Sequence, residues 1–170
     1  AIKHDIAIYS AHTSLDVAAD GINTRLAKKI GLKNSRPLIE NGLGAIGELE
    51  EEMNYTDFIG KIRALLDCTY VRYTRPKKEQ VKTIALCGGS GAEFIGEAIA
   101  QGADVYITAD CKYHEFQDAE GRIGLMDIDH WISERHAREI FLDFIGNLGL
   151  DCRISKTDKT PILLWQEQKN

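Results

Sequence analysis

In Asp127-Ile128-Asp129-His130-Trp131-Ile132-Ser133-Glu134 an imidazole and a carboxylate stand four residues apart, where an apolar stretch gives way to a helical pattern. Four residues of helix turn through about 400°, so both side chains project the same way, one turn apart, and can grip a single metal ion. Ser10-Ala11-His12-Thr13-Ser14-Leu15-Asp16 repeats the geometry near the start of the chain. Asp16, His130 and Glu134 form a mixed nitrogen and oxygen donor set, suited to zinc, manganese or iron and poorly suited to copper(I). Three ligands are enough for one open catalytic ion and few for two. The plainer alternative is a surface or capping His130, with Glu134 serving the helix dipole or a capping arrangement.

Two further stretches bear on chemistry. Cys87-Gly88-Gly89-Ser90-Gly91 lies between a strand and a helix, where backbone N–H groups can receive a phosphate. No Gly-x-x-x-x-Gly-Lys-[Ser/Thr] follows, and Phe94 stands where the dinucleotide pattern needs its third glycine, so a tight turn against the sheet is the stronger reading. Thr108-Ala109-Asp110-Cys111-Lys112-Tyr113-His114 places an acid, a base and an imidazole at a strand end. Asp110, Lys112 and His114 either line a metal cavity, orienting ligands or moving protons, or decorate a solvated helix. Trp131 reads as a packing residue that can also stack a heterocycle. His4 and His136 are singletons without an assigned role.

These residues need elements to carry them. Asp5 to Ser10 reads as a short buried strand and Leu15 to Ile30 as a helix stopped by Gly31. A loop holding Asn34, Ser35 and Pro37 follows, then a strand over Ala45 to Glu50, a helix over Thr56 to Leu66 with Thr56 as N-cap, and a strand around Tyr70 to Thr74. Strands at Val81 to Leu86, Val105 to Thr108 and Ile123 to Ile128 alternate with helices at Ala92 to Gln101 and Tyr113 to Glu120. A long helix over His130 to Asn147 buries Ile132, Ile140, Phe141, Phe144, Ile145 and Leu148, and strands at Arg153 to Ser155 and Ile162 to Trp165 close the chain. The alternation predicts parallel pairing and a layered α/β sheet, whose ligands collect beyond the carboxyl ends of the strands. His12 to Asp16, Gly88 to Gly91, Asp110 to His114 and Asp127 to Glu134 should meet on that rim.

Composition narrows the function classes. The 170 residues carry 44% hydrophobic and 28% charged side chains, as an ordinary globular chain does, and the net charge of −5 without a basic block argues against nucleic acid. No window of about 20 residues is apolar enough to span a membrane. Four cysteines without a Cys-x-x-Cys spacing read as reduced, mostly buried thiols of a cytoplasmic protein. Ala1-Ile2-Lys3-His4 lacks an initiator Met, as though internal to a longer polypeptide.

Taken in order, Ser10 to Asp16, Asn23 with Leu26-Ala27 and Gly31-Leu32, Gly89-Ser90-Gly91, Gly102 to His114 and Asp127 to Glu134 resemble the NIF-three-like dinuclear-metal proteins. Many of these bear the name GTP cyclohydrolase I type two. The resemblance covers nearly the whole chain and implies a toroidal homohexamer with two metal ions per subunit in a central cavity. It implies Asp16, His130 and Glu134 as ligands, with His12 and Asp110 to His114 lining the cavity. It further implies a His-His pair in an upstream segment that this chain lacks, so that residues 1–170 form a single region, the larger C-terminal part of a longer protein. An inserted domain near residues 33–43 is absent. Ala109 replaces the family's usual Gly, and Asp129-His130-Trp131 replaces Gly-His-Tyr, where Asp129 can hydrogen-bond the free nitrogen of His130 or crowd the cavity. The implied activity is hydrolysis by metal-activated water at a nucleotide or other small anionic substrate. A ring-shaped metal-binding or interaction scaffold, and a nucleotide-binding module without metal, are the alternatives.

Overall fold

The computed structural model describes residues 1–165. In chain order the elements are α1 (Thr13–Asp16), α2 (Ile22–Ile30), β1 (Lys33–Arg36), β2 (Ala45–Asn54), α3 (Tyr55–Leu65), β3 (Arg72–Tyr73), β4 (Gln80–Ser90), α4 (Ile95–Ala100), β5 (Val105–Ala109), α5 (Tyr113–Ala119), β6 (Gly124–Asp127), α6 (His130–Glu134) and α7 (Ala137–Gly146). The strands form one six-stranded sheet in the order β1-β2-β4-β5-β6-β3. Only β4, β5 and β6 run parallel; β2 joins β4, β1 joins β2 and β3 joins β6 antiparallel. The prediction of parallel pairing therefore holds at the centre, where helices supply the crossovers, and gives way at both edges.

The central strands are apolar on both faces because both are covered. Ile84 and Leu86 of β4, Val105 and Ile107 of β5 and Met126 of β6 pack with Leu26 and Ile30 of α2, Phe58 and Ile62 of α3 and Ile132 of α6. Between them in sequence, Ala85, Cys87, Tyr106 and Leu125 point the other way, against Ile95 and Ala98 of α4 and Ala119 of α5. Phe58 and Ile62 are wholly buried, and each such side chain contributes about 1.5–3 kcal/mol relative to exposure. The result is a helix, sheet, helix sandwich that leaves the carboxyl ends of β4, β5 and β6 on one rim.

Several boundaries differ from the sequence expectation, each for a local reason. Asp5 to Ser10 is exposed irregular chain rather than a buried strand and pairs with no strand of the sheet. The expected helix over Leu15 to Ile30 breaks between α1 and α2: a Cβ on Gly21 would collide with the Leu15 carbonyl, so the chain turns tightly there. Asn34 and Ser35 lie in β1, not in a loop. Asn54, rather than Thr56, caps α3, its Oδ1 accepting the Thr56 N–H at 2.9 Å. The helix expected from His130 is interrupted at Arg135 and His136 into α6 and α7. Of its predicted apolar side, Ile132 and Ile140 are buried, whereas Phe144 is 65% and Leu148 60% exposed. Arg153 to Ser155 and Ile162 to Trp165 form no strand. Among the described residues no helix is long and apolar enough to cross a membrane.

Candidate metal centre

β6 ends at Asp127, and the chain passes through Asp129 with φ of 68° before starting α6 at His130. The Asp129 carboxylate accepts the Ile132 N–H at 3.2 Å, capping the helix, and accepts the Thr160 hydroxyl at 3.3 Å. It therefore neither bonds nor crowds the His130 ring. That place belongs to Asp110, at the end of β5 with φ of 58°, whose Oδ2 lies 2.6 Å from His130 Nδ1. On the other side of the ring, His130 Nε2 stands 3.2 Å from Glu134 Oε2, the contact foreseen from their spacing. Left-handed backbone at non-glycine residues is uncommon and strained. Both aspartates adopt it where their strands deliver side chains to the site.

The strand beneath is shaped to make room. From Leu86 to Ser90 four steps of β4 run beside only two of β5, from Ile107 to Ala109, so β4 bulges here. Gly89 occupies the bulge with φ of +68°, and a Cβ there would overlap the Glu134 carboxylate. Glycine is favoured here by its left-handed conformation, and its missing Cβ leaves the Glu134 carboxylate its place. The N–H groups of this bulge are already engaged: Gly88 donates to Asn23 Oδ1 at 2.8 Å, Gly89 to Ser133 Oγ at 2.8 Å and Gly91 to Thr108 Oγ1 at 3.0 Å. The expected phosphate cradle at Gly88, Gly89, Ser90 and Gly91 consequently has three of its amides turned inward, in favour of the tight-turn reading.

His130 and Glu134 open into a cavity of about 590 Å³ whose lining also holds the imidazole of His12 and the carboxylates of Asp16 and Glu93. Burial raises the pKa of Asp16 above the usual carboxylate range, and the nearby charge of Glu134 raises it further, against smaller opposing effects of His12 and His130. For His130, burial pulls the pKa down, but the hydrogen bond to Asp110 and the charge of Glu134 outweigh it, leaving a net rise. Among the described residues no Lys or Arg lines the cavity.

Asp16, His130 and Glu134 share this cavity, yet among the described residues no three His, Cys, Asp or Glu side chains are grouped closely enough to hold an ion. The pair from α6 is formed, and Asp16 faces it from α1. His12 sits on the same wall with φ of 42°. Asp110 supports the His130 ring from behind, while Lys112 and His114 are exposed on or beside α5 and do not line the cavity. Sequence reasoning passed over Glu93, whose signal was an acid two residues beyond Gly91 on the rim. It also passed over the brace below the rim, where buried Asp127 accepts from Arg72 Nη2 at 2.6 Å and from the Cys111 N–H at 2.8 Å, fixing the turn that carries Asp110.

Residues 1–161 match the model of the Duf34/NIF3 (NGG1p interacting factor 3) family. The chain belongs to that family. Among curated relatives, a Nostoc protein named GTP cyclohydrolase 1 type 2 homolog is 33% identical over an alignment of 157 residues that covers 88% of this chain and 60% of that protein. A Clostridium perfringens protein of the same name is 37% identical over an alignment of 140 residues that covers 78% of this chain and 53% of that one. The chain thus spans a little over half the length of the curated relatives it matches. The crystal structure of a Staphylococcus aureus hypothetical protein superposes with a TM-score of 0.83 at 26% identity, covering 96% of this chain and 70% of that one.

Proposed function

We propose that this Duf34/NIF3 chain binds divalent metal at His130 and Glu134, with Asp16 as the opposing carboxylate, and that the cavity hydrolyses a nucleotide-like substrate. The observation that carries the reading is the Asp110, His130, Glu134 line. Asp110 engages Nδ1, which directs Nε2 and the Glu134 carboxylate together into the cavity. A carboxylate behind a ligating histidine is the usual device for fixing its ring and raising its basicity. The fit is supported further by Gly89, whose missing Cβ leaves the space that the Glu134 carboxylate needs. Nitrogen and oxygen donors of this kind suit zinc, manganese or iron.

A divalent ion held there supplies Lewis acidity for hydrolytic attack at neutral pH. This chain's own residues bind and orient it: His130 and Glu134 from one helix, Asp16 from the facing wall, and Asp110 holding the imidazole in one tautomer. Glu93 stands free in the same cavity as an acceptor for a proton released from substrate or water. GTP is the first substrate to test, because relatives carry the name GTP cyclohydrolase 1 type 2 homolog. A second ion, further donors from outside these residues, and assembly into a homohexamer belong to the same proposal.

A metal-binding or interaction scaffold is the second reading, favoured by the inward-turned glycine amides and by a cavity to which, among the described residues, no Lys or Arg is presented for a phosphate. Elemental analysis and GTP turnover on wild type and Glu134→Ala separate the two. Metal bound by wild type and lost in the variant, together with turnover that disappears, is the expected result. Metal lost without any turnover in either protein would favour the scaffold, and equal metal content in both would sink the ligand assignment.

A further inference from the structure

The donors of the proposed site come from α1 and α6, and two successive glycines of β4 are linked to them, Gly88 to α1 through Asn23 of α2 and Gly89 to α6 through Ser133. Gly88 N–H donates to Asn23 Oδ1 at 2.8 Å, and the Nδ2 of that side chain donates onward to the Asp16 carbonyl at 3.2 Å. Gly89 N–H donates to Ser133 Oγ at 2.8 Å, and that hydroxyl donates onward to the His130 carbonyl at 2.8 Å. Ser133 is wholly buried and Asn23 is 2% exposed. Both therefore use a donor and an acceptor at once, in positions closed to water, and neither touches the cavity that the ligands face.

In a regular strand consecutive N–H groups point to alternate sides and are used up by the two neighbouring strands. Where β4 bulges, Gly88 and Gly89 have no partner in β5, and the pairing with β2 ends at Leu86, so both amides are left for side chains. One amide is left to meet α2 and the next to meet α6. From this geometry we infer that Asn23 and Ser133 are positioning residues, which set the Asp16 wall and the His130 wall at a fixed separation by referring each to one glycine of the bulge. The inference rests on the metal reading for its consequence, since the separation determines whether one cation can be shared. The two brackets themselves are hydrogen bonds within the protein and involve no metal.

The division of labour makes the idea testable. Ser133→Ala removes the link to the His130 carbonyl and strands the Gly89 amide, Ser133→Thr keeps the hydroxyl, and Asn23→Asp keeps the acceptor for Gly88 while losing the donor to Asp16. Three measurements apply to each: thermal unfolding in chelator, the ring nitrogen resonances of His130 in metal-free protein, and zinc affinity by competition with a chromophoric chelator. Partners of ligating residues typically change metal affinity by about 10–100-fold. Ser133→Ala should stay folded, show altered or multiple His130 ring resonances and bind zinc at least about tenfold more weakly. Ser133→Thr should return both readings toward wild type. Asn23→Asp should leave the His130 resonances as they are and still weaken zinc, because only the Asp16 wall has been released.

Wild-type ring resonances in Ser133→Ala, with zinc affinity unchanged in Ser133→Ala and Asn23→Asp, would overturn the inference. Should wild type take up no zinc at all, the metal reading fails, while the His130 resonances still decide whether Ser133 holds that wall. If Ser133→Ala proves unfolded, the contrast between Ser133→Thr and Asn23→Asp decides: a Thr variant with displaced His130 resonances, or an Asp variant with intact zinc affinity, counts against positioning.

Discussion

Replacing Gly89 with alanine puts a methyl group where the Glu134 carboxylate lies, at a backbone φ of +68°. The left-handed conformation costs an L-residue about 1–2 kcal/mol. The collision itself is with the far end of a flexible side chain, so Glu134 can rotate away, giving up its 3.2 Å contact with His130 Nε2. In a chain of this size about 1 kcal/mol moves the melting temperature by about 2–4 °C, so the expected fall is about 2–8 °C. Gly60→Ala is the control: Gly60 lies in α3 with nothing within 4 Å of the added methyl, and it should gain about 0.5–1 kcal/mol. The two substitutions, chemically identical, should have opposite signs.

The same variant carries a pH signature. In the folded chain the His130 pKa is raised, with Glu134 among the causes, so its contribution to stability is present below the unfolded value near 6.5 and is lost as pH rises through the folded pKa. Displacing Glu134 lowers the folded pKa toward ordinary. The melting deficit of Gly89→Ala should therefore be larger at pH 5 than at pH 8. Circular dichroism melts in chelator give the deficit, and a ring-proton NMR titration gives the His130 pKa directly. A melting temperature equal to wild type together with an unmoved His130 titration would refute the claim that the bulge glycine makes room for Glu134.

Two other outcomes follow from burial. Cys68, Cys87 and Cys111 are buried, and desolvation pushes their thiols up to about 11, 12 and 12, whereas Cys152 is half-buried. A disulfide reagent at pH 8 should meet one prompt thiol per chain and the other three only in denaturant; two or more prompt thiols would contradict the packing of the sheet. His136 is 3% exposed with no partner for Nε2 among the described residues, and burial depresses its pKa, with Lys29 adding to the effect. The stability it contributes is present above the ordinary value near 6.5 and lost as pH falls through the depressed one. Urea melts of His136→Gln should show a shallower loss of stability between pH 7.5 and 5.5 than wild type, and parallel slopes in the two proteins would refute the assignment.

How much of this was legible in the chain depends on the range of the interaction. The His130 and Glu134 pair needs only helical spacing, and the structure contains it. The strands at β4, β5 and β6 are legible because continuous apolar runs between turn signals suffice to mark them. By contrast, Asp5 to Ser10 and Ile162 to Trp165 have strand-like composition yet join no sheet, because pairing depends on distant chain that periodicity does not register. The exposed Phe144 and Leu148 show the same limit from another side. Amphipathic spacing gave the apolar face of α7, but not what lies against it.

Residue types and local spacing determined the mixed nitrogen and oxygen donor set, the alternating α/β pattern and the family resemblance, since each depends on neighbours within a few residues. Only the tertiary structure decided that Asp110 rather than Asp129 holds the His130 ring, that Asp16 shares a cavity with the α6 pair without closing on it, and that the glycine amides face inward. Those outcomes turn on left-handed residues at two strand ends and on a bulge in β4. Such features arise when strands far apart in sequence are brought into register, and a linear pattern carries no record of that register.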